Sequence, residues 1–163
     1  MNGESGSSGA GGAGEWLYLC CDGAARGNPG PAGIGGQAMD SSGRVMVEVH
    51  EFLGEATNNV AEYHALIRIL EAAADLGFDR VKIMTDSELV AGQITGGFRV
   101  KSKALRPLLE KIQQLLAGFS RVEVEHIPRE KNIACDALAN RAIDEGLAGL
   151  KKPILKPEGG ALF

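Results

Sequence analysis

The order of the apolar patterns constrains the fold of this chain more than any other feature of its sequence. Three strand-like runs, at residues 16–22, 32–40 and 44–53, come before any helical pattern. The segment Asp40-Ser-Ser-Gly43 lies between the second and third runs, and this composition is typical of a loop between antiparallel strands. The three runs are therefore predicted to form an antiparallel meander.

Helical and strand-like patterns alternate in the rest of the chain. Leu66, Ile69 and Leu70 recur at helical spacing, and Gly77 is a natural helix stop. The predicted elements are a helix at 59–76, a strand at 80–85, a helix from 87, a Gly-Gly break at 96–97, a helix at 103–117, a strand at 120–127 and a helix at 131–145. This order predicts an α/β fold in which an antiparallel part joins a parallel part, with helices packed on the sheet.

One folded domain is predicted, at residues 16–146. Residues 1–15 are mostly Gly, Ser and Ala, a composition typical of a disordered tail. Residues 147–163 contain Pro153 and Pro157 and are predicted to form a poorly packed C-terminal tail. The hydrophobic share of 44% and the charged share of 23% are ordinary for a globular protein.

The sequence favours a cytoplasmic protein that does not contact membranes. No apolar run approaches the roughly 18 residues that span a bilayer. No Lys or Arg precedes Arg26, so neither a secretory signal nor an Arg-rich transit peptide is expected. Cys20, Cys21 and Cys135 lack the spacing of a zinc site and are predicted to be reduced structural thiols. Since adjacent strand residues alternate, Cys20 and Cys21 are expected on opposite faces of a sheet.

The net charge of −4 argues against a nucleic-acid partner only at first sight. Two bound divalent cations would bring the protein formally close to neutrality. A local basic run also offers a surface for phosphates, and it comprises Arg99, Lys101, Lys103, Arg106 and Lys111.

Four acidic residues in four separate segments are the strongest indication of function. Asp22 ends an apolar run at a glycine-rich segment, and the others are Glu62, Asp86 and Asp136. Carboxylates are expensive to bury unless they are paired or bind a metal ion. Acids that converge from several segments are typical of sites for hard divalent cations. The pattern therefore predicts metal-assisted phosphoryl chemistry.

Each acid also has a purely structural interpretation. Asp22 precedes Gly23, and Asp-Gly is a common turn dipeptide. Glu62 completes a possible capping box that starts at Asn59. Asp86 can cap the helix that follows it. Asp136 lies near the start of the last helix, where an acid suits the helix dipole. These interpretations are independent, whereas one metal site predicts all four acids together.

Four motifs together resemble the type 1 ribonuclease H family. They are Asp22-Gly-Ala-Ala-Arg-Gly-Asn-Pro-Gly30, Thr57-Asn-Asn-Val-Ala-Glu62, Thr85-Asp-Ser87, and His126-Ile-Pro-Arg-Glu-Lys-Asn132 followed by Asp136-Ala-Leu-Ala-Asn140. The compact Pro-Arg-Glu-Lys-Asn segment is similar to the archaeal-like branch of that family. The resemblance covers residues 16–146, and the order and spacing of all four motifs agree with it.

The resemblance implies a fold and an activity. The fold is a five-stranded mixed sheet with helices on its faces. The activity is endonucleolytic cleavage of the RNA strand of an RNA–DNA hybrid, which leaves 5′-phosphate and 3′-hydroxyl ends. Asp22, Glu62, Asp86 and Asp136 match the carboxylates of a two-metal mechanism. The implied cofactor is Mg²⁺, for which Mn²⁺ substitutes, and the protein is expected to act as a monomer.

Further residues are assigned by the same resemblance. Gly23, Asn28, Thr57 and Asn58 match positions that contact the substrate backbone, where recognition carries little sequence information. Better-known bacterial members have a longer loop with a histidine before the last acid. Here the loop is compact, so Arg129 is favoured over His126 as the group that assists turnover.

Two other functions remain open. One is a nuclease that cuts double-stranded RNA as well as hybrids, and the other is a non-catalytic hybrid-binding module. A 3′–5′ exonuclease of the same superfold is disfavoured, because such enzymes carry a second acid two residues after the first and this chain has Ala24 there.

Overall fold

A five-stranded mixed sheet forms the centre of the protein in the computed structural model, which describes residues 14–96 and 102–155. The strands are β1 (Trp16–Ala25), β2 (Gly30–Met39), β3 (Val45–Ala56), β4 (Arg80–Thr85) and β5 (Arg121–His126). Their order in the sheet is β3-β2-β1-β4-β5. β1 is antiparallel to β2 and parallel to β4, and β5 is parallel to β4. The predicted meander and parallel part are both confirmed.

Within the described residues, four helices flank the sheet: α1 (Asn58–Asp75), α2 (Glu88–Ile94), α3 (Arg106–Leu116) and α4 (Ile133–Leu147). A short 3-10 turn, Arg129–Lys131, precedes α4. α3 begins three residues later than predicted. Pro107 lies in its first turn, where a missing backbone N–H does no harm and where proline favours a helix start. Of the helices in the described ranges, none is long and apolar enough to span a bilayer.

One face of the sheet packs against α1. Leu66, Ile69 and Leu70 are fully buried there against Leu17 and Leu19 of β1. The helical spacing of these side chains was the basis for predicting this helix. Each such side chain contributes about 1.5–3 kcal/mol on complete burial. α1 is therefore anchored on β1, and its first turn lies at the end of that strand.

The opposite face packs against α4, and glycines of β2 allow the helix to come close. A Cβ atom on Gly35 would lie 2.4 Å from the carbonyl oxygen of Cys135, and one on Gly33 would lie 2.5 Å from that of Ala139. Real Cβ atoms do not make such contacts. Because Gly35 pairs with Asp22 of β1, the start of α4 lies beside that acid.

The cysteines occupy both faces of the sheet, as predicted. The Sγ atoms of Cys20 and Cys135 lie 3.2 Å apart, between β1 and α4. Cys21 belongs to the hydrophobic core that includes α1. All three are buried free thiols.

The end of the described chain packs better than predicted. The N–H of Ile154 donates to the carbonyl oxygen of Phe52, and that of Leu155 donates to Leu53, both at 3.0 Å. Leu155 also packs against the core. The expectation of a poorly packed tail is therefore wrong for these residues, because β3 is an edge strand whose outer carbonyl groups accept new partners. Residues 1–13 of the predicted N-terminal tail, Pro157, Arg99 and Lys101 lie outside the described residues.

Candidate active site

The ends of two parallel strands bring the first two acids together. Asp22 lies in β1, is 7% exposed and pairs with Gly35. Asp86 directly follows the last residue of β4. The last pair between β1 and β4 is Cys20 with Met84, and each acid follows its own member of that pair by two residues, so the two carboxylates meet at this edge. Asp22 is inside a strand that continues to Ala25, so its interpretation as a turn former is wrong.

Glu62 reaches the same edge from the first turns of α1. Its Oε1 atom accepts a hydrogen bond from the Gly23 N–H at 3.2 Å. The helix cap is Thr57, whose hydroxyl accepts from Val60 N–H at 3.2 Å. The capping box predicted from Asn59 is therefore wrong, and Glu62 is directed towards β1 instead.

The absence of a side chain at position 23 allows this contact. A Cβ atom on Gly23 would lie 2.2 Å from the carbonyl carbon of Ala61. α1 thus touches the backbone of β1 one residue after Asp22, and any larger residue would separate the helix from the strand.

Asp86 is likewise free of the capping role that its position suggested. Ser87 caps α2, and its hydroxyl accepts from the Val90 N–H at 3.2 Å. The Asp86 Oδ2 atom instead accepts a hydrogen bond from the side-chain amide of Asn132 at 3.2 Å.

Three of the acids form one compact group of ligands. One carboxylate oxygen from each of Asp22, Glu62 and Asp86 lies within 4.8 Å of the other two. This donor set consists only of hard oxygen atoms, which suits Mg²⁺, Ca²⁺ or Mn²⁺ and not the metals that prefer sulfur or imidazole. The three side chains fit a divalent cation.

Asp136 lies in the first turn of α4, which confirms its predicted position near the start of a helix. It is exposed, and its charge is one of those that raise the pKa of Asp22. Three of the four acids singled out from the sequence therefore form one group, and the fourth lies on α4, which packs against the same strand as Asp22.

The chain is similar to known proteins over most of its length. The family described as Reverse transcriptase-like matches residues 20–142. A ribonuclease H of Methylococcus capsulatus is 34% identical over 151 residues, which cover 84% of this chain and 95% of that protein. The chain belongs to the type 1 ribonuclease H family.

Other members of the family are more similar in sequence. Ribonuclease HI of Halobacterium salinarum is 46% identical over 129 residues, 79% of this chain and 65% of that protein. The bifunctional protein Rv2228c of Mycobacterium tuberculosis is 42% identical over 78% of this chain and 35% of its own length. The chain thus spans less than two thirds of the length of these two curated relatives.

Solved structures of the family share the fold. The crystal structure of RNase H1 from Halobacterium salinarum has a TM-score of 0.78 at 44% identity, covering 80% of this chain and 98% of that one. LC11-RNase H1 in complex with an RNA/DNA hybrid has a TM-score of 0.77 at 42% identity, covering 80% and 99%. The five-stranded sheet with its helices is therefore the ribonuclease H fold.

The charge of the acidic group is poorly tolerated without a cation. Burial and the charges of Glu62 and Asp86 raise the pKa of Asp22 to about 9. Burial raises the pKa of Glu62 to about 7, although the Gly23 N–H that it accepts acts in the opposite direction. Both shifts disfavour the charged forms, and a bound divalent cation reverses that preference.

Asn132 is a residue of the site that sequence reasoning did not single out. It is 2% exposed, and its amide donates to the Cys21 carbonyl oxygen at 2.8 Å as well as to Asp86. One side chain thus joins β1, the end of β4 and the start of α4. In the sequence, its role is indicated by its position four residues before Asp136, at the start of the predicted helix.

The predicted substrate-contacting residues lie in β1, in the β1–β2 loop and at the start of α1. Asn28 is in the exposed β1–β2 loop, and its Oδ1 atom accepts from the Asn58 N–H at 3.0 Å. Thr57 caps the same helix start. Gly23 is buried, and its N–H is directed at Glu62.

The two candidates for a role in turnover lie at the end of β5 and in the segment that follows it. His126 is the last residue of β5, and its Nε2 atom lies 3.3 Å from the Asp86 carbonyl oxygen. Arg129 is exposed on the 3-10 turn that leads into α4.

Proposed function

We propose that this chain is an endoribonuclease that hydrolyses the RNA strand of RNA–DNA hybrids with Mg²⁺ and leaves 5′-phosphate and 3′-hydroxyl ends. The observation that carries the proposal is the group formed by Asp22, Glu62 and Asp86, whose oxygens approach within 4.8 Å of one another. The likeness to a solved ribonuclease H1 in complex with a hybrid supports the choice of substrate.

The four carboxylates are the proposed metal ligands. Asp22, Glu62 and Asp86 would hold the cation, and Asp136 would complete a second position from α4. Bound divalent cations supply the Lewis acidity that such hydrolysis needs, by activating water and neutralising phosphate charge. The Gly23 N–H orients Glu62, and the Asn132 amide orients Asp86. The two carboxylates therefore need little rearrangement when a cation binds.

Substrate is proposed to bind across the β1–β2 loop and the start of α1. Asn28, Thr57, Asn58 and the backbone of Gly23 would contact sugars and phosphates there. Such contacts position a duplex without reading its sequence, so discrimination between strands would rest on the 2′-hydroxyl of RNA. Arg129, exposed on the turn that precedes α4, is proposed to assist turnover.

The protein is further proposed to act as a monomer in the cytoplasm. Its buried free thiols are consistent with a reducing compartment. Double-stranded RNA remains a second candidate substrate, which the same experiment addresses.

The test is cleavage of a hybrid in which each strand carries a different end label. With Mg²⁺ or Mn²⁺ we expect internal cuts in the RNA strand, an intact DNA strand and no cutting in EDTA. A polymerase should extend the new RNA ends, since they carry 3′-hydroxyls. A folded protein that binds hybrid but cuts neither strand with either metal would be the non-catalytic module instead. A parallel reaction on duplex RNA measures the second specificity.

A further inference from the structure

A series of side-chain contacts connects the β1–β2 loop to Asp136. The Arg26 Nη1 atom lies 2.8 Å from Oδ1 of Asp144, and its Nη2 atom donates to Oδ1 of Asn140 at 3.3 Å and to its carbonyl oxygen at 3.2 Å. Asn140 and Asp144 follow Asp136 at four-residue intervals, so all three lie on one face of α4. Arg26 therefore contacts the face of α4 that carries Asp136.

Asn140 links Arg26 to Asp136 through its side-chain amide. Because its Oδ1 atom accepts from Arg26, its Nδ2 atom is turned towards Asp136. That Nδ2 atom donates to the Asp136 carbonyl oxygen at 3.0 Å and reaches the carboxylate Oδ1 atom at 3.4 Å. The guanidinium group therefore determines which end of the amide faces the carboxylate.

Asp136 needs such support more than the other three acids do. It is exposed, so its side chain is less restricted by packing than those of the buried and half-buried acids. An amide donor on one carboxylate oxygen restricts rotation of the side chain and leaves the other oxygen for a cation. Residues around metal ligands commonly act in this way.

We propose that Arg26 and Asn140 are positioning residues that hold the Asp136 carboxylate in its metal-binding orientation. The inference rests on the proposed function, because it treats Asp136 as a metal ligand. The same loop is also fixed to α1 through Asn28 and the Asn58 N–H. The β1–β2 loop thus contacts both α1 and α4.

The test compares Arg26→Gln and Asn140→Ala with the matched control Arg141→Gln. Arg141 is an exposed arginine of the same helix, and it pairs with Glu145 at 3.0 Å instead of with Asn140. Thermal melting establishes that each variant is folded. Titration calorimetry then measures Mn²⁺ binding without nucleic acid, and cleavage at varied Mg²⁺ gives the half-saturating concentration.

Arg26→Gln and Asn140→Ala should each weaken Mn²⁺ binding and raise the half-saturating Mg²⁺ by about 10-fold, the lower end of such effects. The kcat at saturating metal should stay within a few-fold of wild type, and Arg141→Gln should change neither quantity. The double variant should be no worse than Asn140→Ala alone, because the guanidinium acts through the amide.

Two results would overturn the inference. A raised KM for hybrid with unchanged metal binding would make Arg26 a phosphate contact, and unchanged values throughout would make the contacts merely structural. The calorimetry separates this from failure of the proposed function. If wild type binds Mn²⁺ but cuts no hybrid, the function fails, while the variants still decide whether Asp136 is held as proposed.

Discussion

Asp22, Glu62 and Asp86 are held by the sheet and by α1, whereas Asp136 stands on the exposed start of α4. The first three are buried or half-buried, and Glu62 and Asp86 are fixed by the Gly23 N–H and the Asn132 amide. The fourth is exposed and is held by a side-chain amide of its own helix. The site thus has a prebuilt half, in which three carboxylate oxygens lie within 4.8 Å of one another, and an adjustable half, which is Asp136 on α4.

The largest expected difference between the halves is in catalysis. Asp86→Asn removes a ligand of the compact group and should lower hybrid cleavage by at least about 10³-fold, since the metal electrostatics carry the reaction. Asp136→Asn leaves three carboxylates in place and should lower it by only about 10-fold. Single-turnover cleavage at saturating Mg²⁺ measures both.

Asp75→Asn, an exposed residue at the end of α1, is the matched control and should behave as wild type. If Asp86→Asn retained activity, the compact group would not be the metal site. Equal losses for Asp86→Asn and Asp136→Asn would show that the two halves do not differ.

Asn132→Ala should loosen the prebuilt half. It leaves the buried Cys21 carbonyl without this donor, which costs about 1–3 kcal/mol of unfolding free energy. It also frees Asp86 to rotate, so cleavage should fall by about 10- to 100-fold. Urea denaturation and cleavage rates check the two effects, with Asn59→Ala, an exposed residue of α1, as the control. Wild-type activity in a destabilised Asn132→Ala protein would leave Asn132 a structural role only.

The stability of the metal-free protein should depend on pH through the prebuilt half. The pKa of Asp22 is raised to about 9 and that of Glu62 to about 7, so the folded state holds protons that the unfolded state releases. This contribution is complete below about pH 4 and is lost as pH rises towards 9, so the metal-free protein should be clearly less stable at pH 9 than at pH 5.

Denaturation at pH 5, 7 and 9 in EDTA measures this decrease. Mg²⁺ should restore most stability at pH 9, where it replaces the missing protons. Asp22→Asn should flatten the profile and Asp75→Asn should not. A profile that is equally steep in Asp22→Asn would assign the pH dependence to other groups.

The smallest effect is expected far from either half. Leu155→Ala removes a partly buried side chain where the chain end pairs with β3, and it should lower the unfolding free energy by about 1 kcal/mol. The half-saturating Mg²⁺ should not change. A change in metal dependence would mean that the outer edge of the sheet is coupled to the site.

Local patterns predicted most of the architecture but not how the acids are held. The helical spacing of Leu66, Ile69 and Leu70 predicted α1, and the strand-like runs predicted the meander. The caps were displaced by one or two residues, from Asn59 to Thr57 and from Asp86 to Ser87, because neighbouring polar residues compete for the same N–H groups.

The contacts that orient the acids join residues far apart in the chain. The Gly23 N–H and Glu62 are 39 residues apart, Asn132 and Cys21 are 111 apart, and Arg26 and Asn140 are 114 apart. Periodicity and capping rules describe a few neighbouring residues at a time. The identities of the acids were therefore accessible from motif order, whereas Asn132 and Asn140 gained their meaning only in three dimensions.

Gly35 supplies no ligand and no donor, yet it helps to set the dimensions of the site. With a methyl group there, the Cys135 carbonyl would have to retreat, and the neighbouring Asp136 would be carried away from Asp22. The distance between β2 and α4 therefore contributes to the geometry of the site as much as the oxygen atoms do. An inventory of reactive groups alone would overlook it.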